Sequence, residues 1–163
     1  MVALPGIQTE AGAETRVLLA ECRSPAYGSY NLGNATLCML NIDLVLRNRL
    51  MTPSKFNAKG AKSLIGIIKA KGQFAGFAAY PDYDQEIKDR IQDMLDIANA
   101  SKDSRSIDYA AHIQAAINAA LPPAIPDASP GKLTAWRTAG SGSPGSGFLK
   151  YVTLLGIDFY YVP

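Results

Sequence analysis

At 163 residues with a formal net charge of +2, the chain has single-domain size and too little positive charge to hold nucleic acid by electrostatic attraction alone. Apolar residues make up 48% and charged residues 18%, which predicts a folded core and excludes a disordered chain. No run of about 18 uninterrupted apolar residues exists, so no membrane-spanning helix is expected.

Residues 1–12 read as a flexible lead to one domain spanning 1–163, and Glu10 and Glu14 interrupt any apolar leader, so no secretory signal is expected. From Ala13 to Cys22 the spacing of Val17, Leu18 and Glu21 predicts a helix with all three on one side, which turns the Glu21 carboxylate toward the core. Arg23 to Asn34 is a loop by composition, with Pro25, Gly28 and Gly33. Thr36 to Leu50 has too many apolar positions for one stripe and reads as a buried central helix. Pro53 ends it, and Leu64 to Ile68 marks a short helix closed by Gly72.

An aromatic run follows, in which Gln73, Phe74, Phe77, Tyr80 and Tyr83 are spaced by Gly76 and Pro81. It reads as a loop, with Phe74 and Phe77 in the core and Tyr80 and Tyr83, beside Asp82 and Asp84, exposed. Asp82 or Asp84 caps the next helix, whose stripe is Ile87, Ile91, Met94, Leu95 and Ala98. Ile113 to Leu121 forms another, stopped by Pro122 and Pro123. Pro122–Lys132 and Ala139–Gly147 are loops flanking a short segment with the only tryptophan, Trp136, and Phe148 to Pro163 reads as a strand or extended closing segment. The expected fold is a mainly α single domain with a short C-terminal β segment.

Glu21 is the candidate general acid, because a helical glutamate beside an apolar stripe is where desolvation raises a carboxyl pKa toward working pH. A glutamate at a helix end turned to solvent is the plainer alternative. Aromatic faces stack on sugar rings while hydroxyls and amides bond sugar hydroxyls, which makes Tyr30, Gln73, Tyr80, Tyr83 and Tyr160 candidate substrate-binding residues. Asp43, Asp82, Asp84, Asp108 and Asp158 are candidates for a second carboxylate. Cys22 and Cys38 fit a disulfide and fit two buried free thiols equally. A cysteine amidase would need one of them paired with His112, the only histidine. Two distant cysteines and one histidine are too few ligands for a metal, and no cofactor is expected.

In chain order, Glu21 at the end of a first helix, VLRNRL at Val45–Leu50, Lys55 and Phe56, GQF at Gly72–Phe74, the Ala-rich Ile107–Leu121 and the closing LGIDFYY resemble the spore-cortex-lytic type of cell-wall hydrolases. That family is lysozyme-like and cuts peptidoglycan glycan strands. YPDYDQEIKDRI is similar to a segment of the bacterial N-acetylglucosaminidases that share the lysozyme-like core. The resemblance implies Glu21 as general acid and a muramidase or N-acetylglucosaminidase activity. With no signal expected and a disulfide that fits, it also resembles the small peptidoglycan hydrolase effectors of bacterial type VI secretion. These reach the periplasm of a target bacterium without a signal peptide and are neutralised by a cognate immunity protein. That setting implies a Cys22–Cys38 disulfide and an inhibitor that occludes the Glu21 cleft with Gln73–Tyr83 in its footprint. A phage endolysin, a lytic transglycosylase and a non-catalytic peptidoglycan-binding module are the alternatives.

Overall fold

The computed structural model describes residues 1–121 and 125–163. Four helices start where a side-chain oxygen accepts an otherwise orphaned backbone N–H: Thr9 from Gly12, Asn31 from Asn34, Ser63 from Gly66 and Asp84 from Glu86. They are α1 (Glu10–Glu21), α2 (Leu32–Met51), α3 (Leu64–Lys69) and α4 (Gln85–Asn99). α5 (Ser106–Ala119) follows, and the stop expected at Pro122 and Pro123 lies outside the described residues. No helix among the described residues is long and apolar enough to cross a membrane.

α1 and α2 begin earlier than the hydrophobic period suggests, since their first turns hold Glu10 and Gly12, and Gly33 and Asn34, with no apolar rhythm. The supposed lead is therefore part of the fold. A Cβ at Gly12 would meet the Gly6 carbonyl oxygen at 2.0 Å, so residue 12 must be glycine for the N-terminal segment to cross α1. The Glu10 carboxylate then accepts the Leu64 N–H at 2.7 Å, fixing the start of α3, and the Asn99 side chain clasps Val2 N and O at the end of α4.

Three strands form one antiparallel sheet with β3 (Ile157–Val162) between β1 (Lys132–Thr138) and β2 (Leu149–Leu154). The fold is thus helix-rich with a small sheet, more β structure than a closing segment. β1, expected only as a short segment between loops, is a full strand. Its signal was hidden because Leu133, Thr134 and Ala135 are buried in succession rather than alternately. The cause is a bulge: Leu133 pairs with Tyr161 and Ala135 with Tyr160, leaving Thr134 as the extra residue. Two residues at the end of α2 hold this bulge. Asn48 Nδ2 donates to the Leu133 carbonyl at 2.8 Å and Arg49 Nε to the Thr134 carbonyl at 2.9 Å. The Asn-Arg pair of VLRNRL is therefore the staple between α2 and the sheet.

The core lies between α1, α2, α3 and α5 and reaches the sheet through Leu133 and Phe159. Phe77, Tyr80 and Tyr83 form a stack within it, with Phe77 and Tyr83 rings 5.2 Å apart and nearly parallel. This corrects the expected exposure of the two tyrosines: Tyr80 is 1% and Tyr83 7% exposed, and the Tyr80 hydroxyl donates to the Ile7 carbonyl. Their acidic neighbours face outward instead, Asp82 to Lys88 and Asp84 to the start of α4.

Cys22, at the end of α1, is bonded to Cys38 in α2 across a sequence separation of 16. Closing a loop of that size constrains the unfolded chain by about 3 kcal/mol. Reduction is expected to lower the melting temperature by several degrees, read by thermal unfolding with and without reductant. An unchanged midpoint would mean that helix packing alone holds the end of α1.

Candidate active site

Glu21 is the last residue of α1, so its position is set by the α1–α2 disulfide one residue on and by the sheet opposite. Trp136 of β1 donates its indole N–H to Glu21 Oε2 at 3.1 Å. The indole is itself held by Phe74, with ring centroids 5.3 Å apart, and by Arg49, whose guanidinium lies 5.1 Å from the Trp136 centroid and 5.3 Å from that of Phe56. Arg49 Nη1 donates to Gln73 Oε1 at 2.7 Å. One arginine thus joins the bulged strand, the Trp136 wall and the GQF segment.

Glu21, Arg49, Phe56, Gln73, Thr134 and Trp136 line a cleft of about 500 Å³ together with Pro144 and Phe148 of the β1–β2 loop. The volume is that of a small-molecule or sugar site. Burial pushes the Glu21 carboxyl above its ordinary value, opposed by the Trp136 hydrogen bond and by the charges of Arg90 and Arg49. Burial also pushes the Arg49 guanidinium down, to about 10, which still leaves it charged at neutral pH.

Of the residues singled out from sequence, the cleft brings together Glu21 and Gln73. Tyr80 and Tyr83 are core residues and do not line it. Tyr30 lies against α5, its hydroxyl 3.3 Å from His112 Nδ1, and does not line it either. Tyr160 is buried in β3 and donates to the Gly142 carbonyl at 3.0 Å, so it ties down the loop that holds Pro144 and Phe148 rather than facing the cleft.

Glu21 is the one carboxylate lining the cleft among the described residues. Asp43 is enclosed with Arg47, Asp158 is bound by Lys150 and Thr153, and Asp108 sits in the first turn of α5. Both sulfurs are in the disulfide and His112 is fully buried, so the pair a cysteine amidase would require is not formed.

Sequence reasoning missed Arg49 and Trp136 as site residues. A lone tryptophan between two loops and an arginine inside an apolar helix were the available signals. No protein family, curated protein or solved structure matches this chain.

Proposed function

We propose that this chain is a lysozyme-like glycosidase that cleaves the glycan strands of peptidoglycan, with Glu21 as general acid. The observation that supports it most is the raised Glu21 carboxyl in an open cleft, held by the Trp136 indole and walled by aromatic side chains. The acid form gives its proton to the glycosidic oxygen as the bond to the anomeric carbon breaks. The anomeric carbon is then bonded by water, either directly or after the substrate's acetamido oxygen has held it, or by the substrate's own 6-hydroxyl, and the proton released by the attacking water or hydroxyl returns to the Glu21 carboxylate. Gln73, held by Arg49, offers its amide N–H to sugar hydroxyls, while Phe56, Trp136 and Phe148 offer ring faces.

Within this reading the enzyme works outside the cytoplasm, where a disulfide persists. It acts as a type VI secretion effector in the periplasm of a target bacterium and is blocked at home by an immunity protein seated in the cleft. The inhibitor's anchors are then Phe56 and Phe148 at the cleft rim, since Tyr80 and Tyr83 are enclosed.

The test is mass spectrometry of purified peptidoglycan after digestion. Reducing-end sugars are expected from hydrolysis, and the terminal sugar names the bond cut. Anhydro-sugar ends would make the enzyme a lytic transglycosylase. An undigested sacculus that nonetheless retains the protein would favour the non-catalytic binding module.

A further inference from the structure

We propose that the glycan site continues past Glu21 into a second arm, built on Tyr27, that binds the neighbouring carboxylate-bearing sugars of the same strand. This rests on the glycosidase reading and extends it to residues outside the main cleft.

Glu21 also borders a small hollow with Arg23, Ser24, Tyr27, Arg90 and Met94. Ser24, Tyr27, Arg90 and Met94 in turn line a wider groove of about 350 Å³ that runs on to Asp93 and Tyr109. Its floor is apolar, from the buried Met94 and Tyr109. Tyr27 stands over it 51% exposed, the most open aromatic side chain of the described residues.

The backbone on either side of this exposed tyrosine is tied into turns, and one ring face has a neighbour. The Tyr27 N–H donates to the Ser24 carbonyl at 3.2 Å and its carbonyl accepts the Tyr30 N–H at 2.9 Å. The Arg23 guanidinium backs the ring at 5.2 Å from the centroid. Arg23 in turn lies on Gly156 in the β2–β3 turn, where a Cβ would meet Nη2 at 2.5 Å, and a φ of +77° independently calls for glycine. The result is an aromatic plate with one face braced and the rest open, the form that stacks on a sugar ring.

The charges select the occupant. Arg90 reaches back to the Ala20 carbonyl at 2.9 Å, one residue before Glu21, and with Arg23 places two cations beside Tyr27, while the carboxyl groups bordering this arm are Glu21, at its junction with the main cleft, and Asp93, at its far end. Guanidinium groups bond neutral sugar hydroxyls too, but a carboxylate makes the stronger, charge-assisted bond. A strand whose alternate sugars bear lactyl carboxylates, or peptide stems ending in carboxylates, supplies it.

The test uses Glu21→Gln, which binds without cutting, and calorimetric titration with peptidoglycan-derived disaccharide and tetrasaccharide. Adding Tyr27→Ala is expected to weaken tetrasaccharide binding about tenfold and leave the disaccharide unchanged, while Tyr27→Phe restores the ring and the affinity. Reducing the tetrasaccharide carboxyls to alcohols is expected to cost a further several-fold in the protein that keeps Tyr27. Equal binding of the tetrasaccharide by Glu21→Gln with and without Tyr27 overturns the second arm and leaves the glycosidase reading standing. Failure of Glu21→Gln to bind either sugar overturns both.

Discussion

Glu21→Gln is expected to leave the fold and melting temperature close to wild type while lowering glycan cleavage by about 10²–10⁴-fold, the range of a lost general acid. Gln keeps the shape and can still accept the Trp136 indole N–H, so packing around the end of α1 is preserved. The proton is what disappears. Burial holds the Glu21 carboxyl above its ordinary value, so the acid form persists to a higher pH than in an exposed glutamate, and activity is lost as pH rises through that raised value.

Trp136→Phe separates the proton from the scaffold. The indole N–H favours the carboxylate, so removing it raises the Glu21 pKa further and is expected to move the alkaline limb of the pH–rate profile upward. A glycanase rate unchanged in Glu21→Gln would remove the acid assignment. An unshifted limb in Trp136→Phe would mean that the limb belongs to another group.

Helices α2 and α4 were legible in the sequence because their apolar positions repeat over many turns, and Glu21 was legible because its spacing from Val17 and Leu18 fixed its side of α1. What hid β1 was its bulge, which breaks alternation and is explained only by Asn48 and Arg49 on a helix more than 80 residues earlier. The aromatic run misled for a related reason. Asp82 and Asp84 mark a polar loop, yet the Tyr80 and Tyr83 side chains pack with Phe77 inward, a choice made by tertiary contacts that local composition does not encode. Half of the site was legible for the same reason: Glu21 and Gln73 stand in recognisable local patterns, whereas Arg49 and Trp136 acquire their role by meeting across the fold.

Glu14→Gln is expected to stabilise the protein. Glu14 is fully buried on α1 beside Asp43 and Arg47 of α2, with Arg47 Nε 2.6 Å from Asp43 and its Nη2 3.8 Å from Glu14. Arg47 is therefore committed to Asp43, and Glu14 is left as the second carboxyl of a pair with one close cation. Burial first, then the Asp43 carboxyl, pushes the Glu14 pKa from 4.5 up to about 9. The folded state thus holds a proton that the unfolded chain releases. This stability is fully present below pH 4.5 and is lost as pH rises toward 9, at ~1.4 kcal/mol per unit. At pH 7 part of this stability is already lost, and neutral Gln, which keeps a donor for Asp43, is expected to recover it.

His112 works in the opposite sense. Burial pushes its pKa from 6.5 down to about 4, so the unfolded chain takes up a proton that the folded one refuses, and stability falls as pH drops from 6.5 to 4. In wild type the two slopes oppose one another on the acid side and Glu14 prevails above pH 6.5. Glu14→Gln should therefore flatten the alkaline side and unmask the acid-side loss from His112, read by denaturant unfolding from pH 4 to 9. A less stable Glu14→Gln at pH 7 would show instead that Glu14 is ionised and that Arg47 is shared between both carboxylates.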